Sequence, residues 1–228
     1  MKIVNLTKHN ISTKHNNISF AIKLNQIKDI WLFNCIEGCQ HYCIYNQIKI
    51  SQISKIIITE LKISNISGLL GLLSSLNLTN RTKALSIYGP AGINKYLNLI
   101  KKYSKTNFRY NLYVFILKTG LSINSNKYLI YTFINKKYSD FIIINTEQQI
   151  KFNLRKAKQF NLLAGPLYGK LKKSYDFLLP DGITLYGQSF IKTYQAGRKI
   201  LFILNKHHTR QSIEISFITD IVYFKQFS

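Results

Sequence analysis

A layered sandwich of the α/β or α+β class, with mixed sheets covered by helices, is the fold this sequence predicts. Three observations lead to it: short β-branched runs at the start, a strand-then-helix rhythm in the middle, and a return of short strands after it. A length of 228 residues suits one compact domain and is short for two.

The elements follow in order. Lys2 to Leu6, Ser19 to Leu24 and Ile30 to Asn34 read as a meander of three short strands separated by Asn/His/Lys-rich turns. Ile56 to Thr59 is a β-branched run fit for a buried strand. Gly68 to Leu78 has the apolar spacing and small residues of a buried helix. Leu85 to Tyr88 is another strand, Gly89-Pro90 a turn, and Gly92 to Tyr103 an amphipathic helix with lysines on its outer face. Tyr110 to Leu117, Tyr128 to Phe133 and Phe141 to Asn145 are strands, Leu154 to Asn161 a helix, and Gly197 to Leu204 a strand behind a turn. Residues 162–187 hold two of the three prolines and several glycines around Lys170, Lys172 and Lys173, so they form an excursion from the layered core.

Composition bounds the function. Apolar residues make up 46% of the chain, which excludes the composition of a disordered segment. A net charge of +23, from 32 Lys plus Arg against 9 acids, points to polyanionic partners without choosing among RNA, DNA and anionic lipid. The excess of Ile, Lys, Asn and Tyr also follows from AT-rich coding, so only the local placement of lysine argues for a function. Every Ile-rich run is broken by Lys, Asn or Ser, so no membrane span is expected. The N-terminus has neither the apolar stretch of a signal peptide nor the look of a transit peptide. With the AT bias, that suggests an organelle-encoded protein of the plastid (chloroplast) stroma, or otherwise a bacterial cytoplasm.

Cys35, Cys39 and Cys43 recur every fourth residue, but no second pair of ligands follows at zinc-site spacing. Reduced, partly buried thiols are expected. The histidines are His9, His15, His41, His207 and His208, and their spacing builds no site. Nor is there a glycine-rich nucleotide loop: Gly165-Pro166-Leu167-Tyr168-Gly169 lacks the required spacing, and Gly68 and Gly71 lie inside an apolar helix.

Trp31-Leu32-Phe33-Asn34-Cys35-Ile36-Glu37-Gly38-Cys39-Gln40 resembles the early strand-and-turn segment of the ribonuclease Z family, the tRNA 3′-end endonucleases. The family pattern there is Trp-Leu-Phe-Asp-Cys-Gly-Glu-Gly-Thr-Gln. Ile57 to Ser75, Arg81-Thr82-Lys83 and Ile87-Tyr88-Gly89-Pro90 track the family's strand, metal motif, helix and next strand without a gap. Lys156-Ala157-Lys158, Gly165 to Lys172 and Leu179-Pro180-Asp181-Gly182 resemble its protruding arm, and Gly197-Arg198-Lys199 opens the strand after it. The resemblance implies a metallo-β-lactamase-like αββα sandwich, a single domain over 1–228 with a tRNA-binding arm inserted at 162–187. It also implies that the last strands, helix and final zinc-binding His of the family are lacking.

The departures bear on function. Family members hold two Zn ions through a His-x-His-x-Asp-His motif, and that register here reads Glu60-Leu61-Lys62-Ile63-Ser64-Asn65. A later family His falls at Asn135 and the bridging Asp at Asn205, so the resemblance leaves Glu60, Lys62, Ser64, Asn65, Asn135 and Asn205 as degenerate positions and no metal expected. An ammonium has no lone pair for a metal, and hydroxyl and amide oxygens are poor replacements for imidazole on zinc. In the arm, Lys170, Lys172 and Lys173 match the phosphate-facing positions, and Gly165 and Pro166 set the bend of the stalk. The expectation is a metal-less homologue that binds tRNA or precursor tRNA, as a homodimer or a heterodimer with an intact ribonuclease Z. The alternative is an active zinc-dependent endoribonuclease that uses unusual ligands, with Glu60 and Glu37 its main support, or a site completed by a partner. A third possibility is a decaying reading frame.

Overall fold

The computed structural model describes residues 1–6, 19–24, 28–125, 127–135, 138–145, 148–149, 152–191, 194–195, 197–204 and 210–224. The chain opens with β1 (Lys2–Asn5), β2 (Phe20–Leu24) and β3 (Asp29–Phe33), an antiparallel meander. Next come α1 (Cys39–Tyr45), β4 (Ile53–Ile57), α2 (Ile63–Ile66), α3 (Leu69–Leu78), β5 (Leu85–Gly89), α4 (Ile93–Ser104) and β6 (Leu112–Ile116). In this stretch each helical crossover returns the chain parallel to the strand before, giving a six-stranded sheet in the order β1 to β6.

A second meander, β7 (Gly120–Ser125), β8 (Tyr128–Asn135) and β9 (Tyr138–Asn145), leads into β10 (Gln148–Gln149). Then follow α5 (Leu154–Gln159), α6 (Pro166–Lys172), the hairpin of β11 (Phe177–Leu178) and β12 (Thr184–Leu185), and β13 (Tyr194–Gln195), which pairs with β10. The chain re-enters the sandwich through β14 (Lys199–Ile203), α7 (Arg210–Ser216) and β15 (Ile221–Phe224). The second sheet has the order β15-β14-β9-β8-β7.

Alternation along the strands builds two cores. Phe20, Ile22, Leu24, Trp31, Phe33 and Ile57 of the first sheet meet Tyr128, Ile130, Phe141, Ile143, Ile200 and Phe202 of the second. Rings interlock there: Phe33 stacks on Phe20 at 4.4 Å and meets Phe141 edge-on at 5.5 Å. Each such large side chain removed from water contributes roughly 1.5–3 kcal/mol. The intervening residues, Ala21, Ile30, Leu32, Ile56 and Ile58, face the opposite way into a helix-covered core with Leu69, Leu72, Leu73, Leu76, Ile93 and Leu97. The three cysteines are buried and unpaired in this second core, more deeply than the sequence suggests. Hydrogen bonding among the thiols, with burial, holds Cys39 and Cys43 well above the ordinary thiol range, so they stay protonated and unreactive.

The excursion is wider than residues 162–187. A unit spanning 152–191 has its own small core, where Ala157, Leu171, Leu185 and Phe190 are buried among Phe152, Leu162, Leu167 and Tyr168. The β10/β13 ribbon joins it to the sandwich. Gly165 has extended backbone and Pro166 occupies the first turn of α6, where a missing N–H costs nothing.

One glycine is dictated by contact. A Cβ on Gly68 would lie 1.9 Å from the carbonyl oxygen of Ile36, a clash with backbone that cannot move aside. Replacement of Gly68 by Ala is expected to destabilise the fold by about 3 kcal/mol or more in urea denaturation. Gly71→Ala, whose Cβ would meet only the Gln40 side chain, at 3.4 Å, is expected to be neutral or to gain up to about 1 kcal/mol from helix propensity.

Candidate functional site

The C-terminal ends of β3 and β4 converge on one edge of the first sheet, and the chain leaving each is fixed by hydrogen bonds to the other. Asn34, in the left-handed region at φ 55°, ends β3 and accepts through Oδ1 from the Thr59 N–H at 2.9 Å and the Thr59 hydroxyl at 3.1 Å. Its own N–H donates to the Ile57 carbonyl at 2.9 Å, and its carbonyl accepts from the Ser19 hydroxyl at 3.0 Å. One residue on, the Cys35 N–H donates to the Asn65 carbonyl at 2.7 Å, and the Cys35 carbonyl accepts from the Gly68 N–H at 2.9 Å. These bonds place the loop 58–68 over the sheet edge, which is where the degenerate motif lies.

Within that loop Lys62 Nζ stands 2.7 Å from Glu60 Oε2. The Glu60 side chain is mostly covered, at 18% exposure, and that of Lys62 is 57% exposed. Ser64 and Asn65 fall in α2, where Asn65 is buried and its backbone N–H donates to the Lys62 carbonyl at 2.9 Å. On the facing sheet the buried carboxylate of Asp140 accepts from the Leu204 N–H at 3.2 Å. Asp140 gave no signal in the sequence, because a single acid in a β-branched run reads as a solvated position. Asn135 lies at the end of β8, opposite Tyr138. Asn205, His207 and His208 lie outside the described residues, as do His9 and His15. Among the described residues no group of three His, Cys, Asp or Glu side chains stands close enough to hold a metal ion.

Arg81, part of the quoted motif, is structural. Its guanidinium donates to the carbonyls of Lys83, Ser51 and Ala84 at 2.8 to 3.0 Å and lies 5.8 Å from the Tyr110 ring, so three of its five N–H donors are spent on backbone carbonyls of its own chain.

In the outlying unit, Lys170, Lys172 and Lys173 are exposed, at or just past the C-terminus of α6, where the helix dipole favours cations. Lys170 Nζ is 5.8 Å from the Phe177 ring, which steadies the side chain while leaving the ammonium accessible. The ring of Phe190 holds Lys156 in the same way at 5.5 Å. These cations stand on the arm and Glu60, Lys62, Ser64 and Asn65 at the sheet edge, as two separate groups.

No protein-family model matches the chain. A protein of Acaryochloris marina named ribonuclease Z is 34% identical over 220 residues, covering 95% of this chain and 70% of that relative. An uncharacterized protein of Porphyra purpurea, ycf56, is 39% identical over 206 residues, covering 88% of this chain and 78% of the relative. Among solved structures, the short form of human tRNase Z superposes with a TM-score of 0.58 at 17% identity, covering 97% of this chain and 76% of that one. A long-form RNase Z from yeast gives 0.61 at 11% identity, with 97% of this chain matching 32% of that one.

The two pairings at the sheet edge differ in worth. Loss of the buried Asn34 acceptor in Asn34→Ala leaves the Thr59 donors unmet and is expected to cost about 2 kcal/mol in chemical denaturation. The Glu60–Lys62 pair is half open to water, so a Glu60→Gln, Lys62→Met double-mutant cycle should show a coupling below about 1 kcal/mol.

Proposed function

Because this chain belongs to the ribonuclease Z family and has its metallo-β-lactamase fold, we propose that it serves tRNA 3′-end maturation as a tRNA-binding homologue without a working zinc centre. The observation that carries this reading is the Glu60–Lys62 ion pair, a 2.7 Å contact inside the segment that aligns with the metal motif. A family zinc pair needs imidazole and carboxylate donors to hold the ions and to make hydroxide near neutral pH. The residues here do not fit that group. The one carboxylate in the motif is engaged by an ammonium that would repel a dication, and the remaining donors are a hydroxyl and an amide.

Binding has a different support. The arm is held by its own core, so its shape does not depend on the metal site, and it presents Lys170, Lys172 and Lys173 to solvent. Lysine contacts phosphate as a point charge without reading base identity, which suits a surface that takes the body of any tRNA. Gly165 and Pro166 contribute by starting α6, which carries two of the three lysines. The residues 1–228 act as one domain with the arm inserted, and a homodimer or a pairing with an intact ribonuclease Z would bring this arm to a second active site. The red-algal ycf56 relatives support a plastid setting. No helix among the described residues is long and apolar enough to cross a membrane.

One incubation of the full chain with a 3′-extended precursor tRNA, read for both gel retardation and cleavage, tests the reading. Retardation without cut product is expected, with less than about one-tenth zinc per chain by metal analysis after dialysis. Cleavage that is lost on chelation would overturn the metal-free assignment. Changing Lys170, Lys172 and Lys173 to Ala is expected to weaken tRNA binding and to flatten its logarithmic salt dependence by about one unit per lysine. Unchanged affinity would remove the arm from the binding surface.

A further inference from the structure

Among the described residues, the second sheet leaves part of the first sheet's inner face open. Two cross-strand rows run from the middle of the first sheet to its β6 edge: Phe33, Ile57, Tyr88 and Phe115 in one, Trp31, Lys55, Ser86 and Tyr113 in the other. Both begin in the inter-sheet core and end in solvent. Phe33 and Trp31 are fully buried, whereas Phe115 is 45% and Tyr113 50% exposed. Tyr88 and Phe115 stack with centroids 5.0 Å apart and planes at 19°, so the outer ring is held in place by the one beneath it. Leu112 and Val114, the intervening residues of β6, pack on the helix-covered core, which leaves Tyr113 and Phe115 side by side on the open face. Behind them the half-buried ammonium of Lys55 lies 5.7 Å from the Trp31 ring.

The charge around this rim decides its occupant. From Leu61 to Ser139 the chain contains no aspartate or glutamate, and Asp29 of β3 is an acid that acts on Lys55. Lys118 and Arg109 flank β6 at its two ends and both are exposed, Arg109 donating one N–H to the Asn80 amide oxygen at 3.0 Å and keeping its other donors. A second copy would set like charge against like, and a purely apolar partner would leave the cations without a role. Aromatic faces on an open sheet, surrounded by cations, are what unpaired nucleobases require: rings for the bases, ammonium and guanidinium groups for the phosphates.

We propose that the β6 rim binds an unpaired segment of RNA, with bases stacked on Phe115 and Tyr113 and the backbone met by Arg109 and Lys118. This goes beyond the arm-based reading and does not depend on the arm lysines. The arm lysines suit the folded body of a tRNA, whereas stacking requires bases free of pairing, such as those of a 3′ extension.

Fluorescence anisotropy on the full chain tests it with three labelled probes: a mixed-sequence single-stranded RNA, an abasic ribose-phosphate oligomer of the same length, and mature tRNA. The wild type is expected to bind the RNA about ten-fold more tightly than the abasic oligomer. In the variant carrying Phe115→Ala and Tyr113→Ala that difference disappears while mature tRNA binds as before, and in Phe115→Tyr, which keeps a stacking ring, it persists. Equal wild-type affinity for RNA and abasic oligomer overturns the proposal without any variant having to fold. Should mature tRNA fail to bind while the single strand does, the arm-based reading falls and the rim stands. A dimer in analytical ultracentrifugation that the alanine double variant dissociates would assign the rim to a second copy and overturn the RNA assignment.

Discussion

The structure depends on the junction at Asn34. Two parallel strands end side by side, and their exposed backbone groups must be met at the place where the chain turns away. Asn34 meets them in a conformation that few residues other than glycine adopt readily. Its amide oxygen takes both Thr59 donors, its N–H takes Ile57, and its carbonyl takes Ser19. With Cys35 bound to both Asn65 and Gly68, the loop after β4 cannot move independently of the loop after β3. The helix α3 then starts where Gly68 touches the Ile36 carbonyl, so the position of a whole helical layer follows from a few hydrogen bonds at one sheet edge.

That junction also fixes where the segment 60–65 stands on the sheet. The bonds that form the junction come from backbone groups and from the side chains of Asn34, Thr59 and Ser19.

Much of this architecture was legible in the sequence, and the exceptions have physical causes. Period-two runs such as Phe20 to Leu24 and the Leu-rich stretch after Gly68 declare themselves because each must bury one face. α1 goes unassigned although the four-residue spacing of Cys35, Cys39 and Cys43 would suit a helix face, because no side chain caps it and its burial comes from packing in the helix-covered core. β7 and α7 are short and polar, and partner strands decide them. The small core around residues 162–187 is not visible in the sequence because Phe152 and Phe190, far apart along the chain, pack together in it and no local pattern joins them. At the site, Glu60 and Lys62 stand two residues apart in sequence, and only side-chain geometry makes them a pair. Asp140 had no signal at all.

The separate core of residues 152–191 has a consequence for how this lineage can vary. A unit joined to the body by a two-residue ribbon and packed chiefly on itself accumulates substitutions on its own schedule. Changes among Ala157, Leu171 and Phe190 are checked against one another and not against the Phe33 or Leu72 layers, so the arm can be retuned, or kept, while the body drifts. Evolutionary rates measured along the chain would then fall into two blocks, with the break at the ribbon and not at the edge of the proline-rich stretch.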